Sequence, residues 1–308
     1  MPTIKSAFLA SVTALALAGP ALAQSQCTSV RMSDVGWTDI TATTSLTRQM
    51  LEALGYDVDV DVLGVPVTFA SVAAGDLDVF LGNWMPSQDS AISGYLAAGT
   101  IETVKTNLQG TKFNLAVPKY LSAQGLRTYE DLPKFADQLD STIYGIEPGN
   151  ESNEYIISLT QPGKLLEGWT LVQSSEQGML AQVSRFYPRE KPVVFIGWAP
   201  HPMNTTFDID YLQGGAEFFG EEGVVNTIVR KGFQQECPNV IRLLSQQEFT
   251  LPMENEMMAY ILDDGMDADD ATVKWVSEHP EVIEPWLAGV TTVDGQDGLA
   301  VVKEAFGL

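Results

Sequence analysis

Histidine and cysteine are scarce in this chain, two of each in 308 residues: His201, His279, Cys27 and Cys237. Neither histidine lies in a Cys/His cluster, so a metal centre has almost nothing to use, and a nucleophile-histidine pair has little to draw on. No Gly-x-Ser-x-Gly elbow occurs either. Basic residues are outnumbered 17 to 40, which removes the cationic footprint by which proteins hold nucleic acid. Past the first two dozen residues no run of twenty apolar side chains exists to cross a membrane. Low-complexity segments and long linkers are also lacking.

What the chain does have begins at its start. Lys5 precedes an apolar stretch from Ala7 to Ala18, and Ala21-Leu22-Ala23 follows. That pattern is a secretory leader over residues 1–23 with cleavage before Gln24, too short to remain as an anchor. A lipid attached at Cys27 would want a small residue before it, and Gln26 stands there. The expected product is soluble, exported and not lipid-anchored. Without Lys5 the balance is 16 basic against 40 acidic residues, a formal charge of −24. Such a charge first means solubility or life in salty surroundings, and secondarily a mild attraction for cationic solutes. Export into an oxidising compartment favours a Cys27–Cys237 disulfide over free thiols. Closing so long a loop stabilises by about 5 kcal/mol on the chain-entropy account.

Two distant segments read almost alike, Val79-Phe80-Leu81-Gly82-Asn83-Trp84-Met85-Pro86 and Val194-Phe195-Ile196-Gly197-Trp198-Ala199-Pro200. In each, a short apolar run meets Gly, then Trp, then Pro, so a large aromatic stands where a buried strand ends. Ligands of open α/β sheets bind at such ends, and aromatic faces recognise quaternary ammonium ions. Around these segments strand and helix patterns alternate. Strands are expected over 30–32, 58–63, 77–81, 113–117 and 142–146, with helices from Asp39 as cap, from Pro66, from about Ser152 and from Ser175. After Phe207 the chain reads as more helical. The fold class is α/β, with two lobes and a ligand cleft between them.

Several long motifs then carry a family resemblance. Ser33-Asp34-Val35-Gly36-Trp37-Thr38-Asp39-Ile40-Thr41, Leu81 through Pro86, Tyr144-Gly145-Ile146-Glu147-Pro148-Gly149-Asn150, Ser174 through Ala181, and Gly197-Trp198 with His201-Pro202-Met203-Asn204 resemble the choline-binding periplasmic proteins of ABC transporters. These are members of the wider glycine betaine/choline substrate-binding family. The likeness runs on through Glu236-Cys237-Pro238-Asn239, Met253-Glu254-Asn255-Glu256 and Glu284-Pro285-Trp286-Leu287, across the whole mature chain.

The resemblance implies a type II periplasmic-binding-protein fold: two lobes, each a mainly parallel sheet flanked by helices, joined by two hinge crossings. These are expected near Asn107 to Lys112 and Met203 to Asp208, making lobe I residues 24–108 plus 206–308 and lobe II residues 109–205. It also implies an aromatic cage of Trp37, Trp84, Trp198 and Phe113, where the family usually has Tyr in place of Phe113. Asp39 and Asn150 are implied to hold the ligand's hydroxyl end. The implied partners are choline or a related quaternary amine and an inner-membrane permease. The protein is then a periplasmic monomer without cofactor, and not an enzyme.

Taken singly, these residues have plainer explanations. Trp37, Trp84 and Phe113 suit a core, Asp39 a helix N-cap and Asn150 a turn. Trp169, Trp275 and Trp286 are assigned to packing, His201 to a rigid loop, and Glu147 to the adjacent turn. The chemistry nevertheless supports the cage, since a trimethylammonium group has no N–H to donate and aromatic faces are its natural partners. A carboxylate at Asp39 would accept the hydroxyl proton of choline and repel the carboxylate of glycine betaine. Glycine betaine, carnitine and trimethylamine N-oxide remain open as ligands, and an exported choline-ester hydrolase remains as a different class.

Overall fold

The computed structural model describes residues 27–308, and the expected leader lies outside the described residues. Strand β1 (Ser29–Asp34) sits between β2 (Asp57–Val62) and β3 (Val79–Met85), parallel to both. Helix α1 (Thr38–Ala53) crosses from β1 to β2 and α2 (Val65–Ala74) from β2 to β3. Both helices end where a glycine takes a positive φ, Gly55 at 92° and Gly75 at 85°, a conformation that costs an L side chain but not glycine.

The next strand is the structural axis of the molecule. Strand β4 runs unbroken for 18 residues, Ile101–Pro118. Its first part, Ile101 to Thr111, pairs antiparallel with β9 (Gly223–Arg230), which pairs antiparallel with β3. Its second part, from Lys112, pairs antiparallel with β7 (Phe195–Ala199) and β8 (Ile209–Tyr211). Beyond β7 lie β5 (Thr142–Tyr144) and β6 (Thr170–Val172), both parallel to it. The strand order is therefore β2-β1-β3-β9-β4-β7-β5-β6, with β8 also on β4. One strand thus serves two sheets, each parallel at its outer strands and antiparallel where the sheets meet.

The passage from the first sheet to the second falls within β4 at Thr111–Lys112. The return takes longer. Strand β8 still pairs with the second half of β4 through Tyr211, and the chain rejoins the first sheet only at Gly223. The segment 203–208 carries the chain from β7 to β8, within the second sheet. Cys27 and Cys237 form a disulfide 210 residues apart, tying the start of β1 to the late helices.

Both glycines of the repeated segments are required by close packing. A Cβ at Gly82 would lie 2.7 Å from the Phe80 ring and 2.9 Å from Ile40, and one at Gly197 would lie 2.9 Å from the Ala116 side chain. The tryptophans that follow lie within the last residues of β3 and β7 rather than beyond them. Their positions are fixed by strand pairing: Trp84 stands opposite Val225 and Trp198 opposite Phe113.

Candidate functional site

A cavity lies between the two sheets, lined by Trp37, Trp84, Phe113 and Trp198, by Ser87 and Gln88, and by Ile146, Asn150, Glu151 and Ser152. All four aromatic residues expected from the sequence meet there. The Phe113 ring lies 6.0 Å from that of Trp84, tilted by 59°, and 6.4 Å from that of Trp198, nearly perpendicular. Phe219, in the segment returning to the first sheet, stands edge-on to Phe113 at 5.2 Å. Strand pairing with β7 fixes the Phe113 backbone, and contacts with the Trp84, Trp198 and Phe219 rings hold its side chain.

Trp37 and Trp84 are anchored by their indole edges. Trp84 Nε1 donates to Asp39 Oδ2 at 3.2 Å, and Trp37 Nε1 donates across the cleft to Glu147 Oε2 at 3.0 Å. A ring held at its N–H cannot rotate freely, and its π face stays presented to the cavity. Glu147 also accepts from Asn150 Nδ2 through Oε1, at 2.8 Å. It does stabilise its own turn, as the sequence suggests, and it is in addition a bridge between lobes.

Asn150 is the N-cap of the helix Glu151–Leu159, its Oδ1 accepting from the Ser152 N–H and hydroxyl at 2.9 and 2.6 Å. With Nδ2 giving one hydrogen to Glu147, the amide retains a single free donor. Asp39 is not the cap of α1. That helix begins at Thr38 with Trp37 in the cap position, and the cap function comes from the other lobe. Glu176 accepts from Thr38 N at 2.9 Å and from Thr38 Oγ1 at 2.5 Å. The helix N-terminus favours a negative charge there. His201 completes this contact: its Nδ1 accepts from the Met203 N–H, so the proton stands on Nε2 and is donated to Glu176 at 3.1 Å. The rigid loop assigned to His201 is thus a buried support for the inter-lobe contact.

With Trp84 holding one oxygen, Asp39 lies almost fully buried and its Oδ1 has no partner. Burial, together with the nearby Glu176, pushes its carboxyl up to about 8. Both causes act against the charged form of the carboxylate expected from the sequence. Burial, and after it the neighbouring Asp39 carboxyl, push the Glu254 carboxyl well above the usual carboxylate range. Burial likewise raises Glu151 to about 7, with Glu147 adding to the effect. The amide nitrogen of Gln88 is buried without a partner, while its oxygen accepts from Asn83 and from the Trp84 N–H.

Gln88, Glu147, Glu151, Glu176 and Glu254 are the residues that the sequence does not single out for this site. Glu147 and Asn150 share one turn, which is the only local signal. The partners of Glu147 and Glu176 lie 110 and 138 residues away. Trp169, Trp275 and Trp286 are buried away from the cavity, as expected of packing residues.

Residues 28–278 match the family described as the substrate binding domain of ABC-type glycine betaine transport systems. Among solved structures, an ABC-transporter choline binding protein in complex with choline is 50% identical, over 91% of this chain and 99% of that one, with a TM-score of 0.89. The lactococcal protein OpuAC, closed around glycine betaine, is 27% identical over 84% of this chain and 98% of its own, with a TM-score of 0.76. The glycine betaine/carnitine transport binding protein GbuC of Listeria monocytogenes is 28% identical over 180 residues, 56% of this chain and 57% of that protein.

Proposed function

The chain belongs to the family of substrate binding domains of ABC-type glycine betaine transport systems, and on that premise we propose that it captures choline in the inter-sheet cavity and delivers it to a membrane permease. One observation carries the reading: the cavity is walled by three tryptophans and a phenylalanine, and its lining contains a carboxylic acid but no Lys, Arg or His. A quaternary ammonium ion asks for that surface. At about 2 kcal/mol per desolvated aromatic face, three or four faces contribute roughly 6 to 8 kcal/mol, the scale of the −8 kcal/mol or so of micromolar binding.

In this reading Trp37, Trp84, Trp198 and Phe113 enclose the trimethylammonium group, while Asp39 and Asn150 hold the hydroxyl. Asp39 Oδ1 has no other partner, and Asn150 keeps one N–H free. A bound cation would favour the ionised form of Asp39, which then accepts the hydroxyl proton. Trp37 and Trp84 come from the first sheet's lobe, Trp198 and Asn150 from the second. Only the closed arrangement supplies every face, so ligand shifts the equilibrium towards closure. Glu147 to Trp37 and Glu176 to Thr38 hold the closed state, β4 and the return near Gly223 serve as hinges, and the closed lobes form the surface for the permease. The protein works as an exported monomer in the periplasm.

Glycine betaine is the second reading, favoured by the two unpartnered hydrogens of Gln88, which could serve a carboxylate. Isothermal titration with choline, glycine betaine and carnitine at equal ionic strength separates the two. Tight choline binding with much weaker betaine binding is expected, and the reverse order would overturn the roles given to Asp39 and Asn150.

A further inference from the structure

The acids around the cavity differ in one respect. Glu147 has both oxygens occupied, by Trp37 and Asn150, and Glu176 has both occupied, by Thr38 and His201. Asp39 has one occupied, by Trp84. Glu151 lines the cavity, yet both its oxygens are shut off from solvent and neither has a partner. Among the described residues it is the one carboxyl with both oxygens in that state. Buried polar groups are nearly always paired, and a buried ionised group without a partner is expensive. A glutamate in the first turn of a helix could ordinarily reach water. Here it faces aromatic rings and no basic group.

We propose that Glu151 is a further ligand-selecting group of this cavity, a countercharge to the cationic head that favours a positively charged ligand over an uncharged one of the same shape and opposes a ligand that carries its own carboxylate. The proposal rests on the choline reading and deepens it. The aromatic faces select shape and polarisability as well as charge, so they also tolerate an apolar tert-butyl group. A carboxylate does not, because its charge is compensated only by a cation. The same charge repels the carboxylate of glycine betaine or carnitine across a cavity of low polarity. The helix N-terminus stabilises the ionised form of Glu151, while burial and Glu147 oppose it; Asp39 and Glu176 are the other acids of the site. The bound cation then completes a constellation that the protein leaves short of positive charge.

The test is titration at pH 8 of wild type, Glu151→Gln and Glu151→Asp with choline, with its uncharged isostere 3,3-dimethylbutan-1-ol, and with glycine betaine. Glu151→Gln keeps the shape and loses the charge. It is expected to weaken choline at least tenfold, to leave the isostere unchanged or tighter, and to narrow the preference for choline over betaine. Glu151→Asp should retain most of the choline affinity. Equal losses for choline and the isostere would reduce Glu151 to a packing role, and unchanged choline affinity in Glu151→Gln would remove it from the site. Tetramethylammonium separates this from the choline reading. If wild type binds it but not choline, the choline reading falls and Glu151 is judged by the loss of tetramethylammonium binding in Glu151→Gln. Binding of neither cation overturns both.

Discussion

Each tryptophan of the cavity has an edge or a backbone neighbour that fixes it and a face that is left over. Trp84 shows this most fully: β3 pairing sets its backbone, Gln88 accepts its N–H at 2.9 Å, and Asp39 accepts its indole N–H. Replacing Trp84 by Ala should weaken choline binding by well over tenfold, the loss of about 2 kcal/mol from one cage wall. Titration calorimetry checks this, with wild-type affinity excluding Trp84 from the site. Trp84 and Trp198 were legible in the sequence because Gly and Pro frame them and because Gly82 and Gly197 answer to tight packing that leaves its mark locally, whereas Trp37 came only with the family resemblance. The acid that orients Trp37 was not legible. Glu147 looks like a turn residue from its neighbours alone, since nothing near it in sequence announces an indole 110 positions away.

At the level of elements, β4 and α1 show where local signals stop. Only Phe113 to Val117 reads as a strand, because residues 101–112 carry few apolar side chains and no clean alternation. Pairing with β9 decides that they extend the same strand. Strand β9 itself was hidden in a region that reads as helical, although it is the partner of both β3 and β4. The N-terminus of α1 was expected to be capped by Asp39, directly before the apolar Ile40. The structure gives that task to Glu176 of the opposite lobe, which frees Asp39 for Trp84. Glu176→Gln should therefore loosen closure, because the amide nitrogen would oppose either the Thr38 donors or the His201 N–H. The loss of a charged hydrogen-bond acceptor costs about 2 kcal/mol, or roughly thirtyfold in affinity, expressed mainly as faster release. Stopped-flow tryptophan fluorescence would show it, and an unchanged dissociation rate would mean that this contact does not hold the lobes together.

For the whole molecule, the concentration of acids at the cleft makes binding pH-dependent. Asp39 at about 8 and Glu151 at about 7 are raised above the ordinary carboxyl range, as are Glu147 and Glu254. Between pH 4 and 8, or about that window, the folded chain consequently holds more protons than the unfolded one. The contribution of these groups to stability is full at the acid end and declines as pH rises through their folded values. A bound cation favours the ionised forms, so choline affinity should increase from pH 6 to pH 8, by up to about tenfold per unit for each proton released. Titrations in buffers of different ionisation enthalpy would count the protons. Affinity that is flat over this range would show that these carboxyls do not change charge on binding.

The sequence by itself determined the α/β class, the two-lobed outline and the pairing of Cys27 with Cys237, because each rests on residue types whose chemistry or local pattern is distinctive, and through its family resemblance it pointed to the four aromatic residues that line the cavity. Tertiary structure alone decided where the chain returns between lobes, that one strand belongs to two sheets, and which carboxylates hold which tryptophans. It also set the upward shift of the Asp39 carboxyl, since burial and the proximity of Glu176 are properties of the assembled cleft. Contacts between residues more than a hundred positions apart leave no periodicity and no motif, and the dielectric around a side chain exists only once the fold has closed over it.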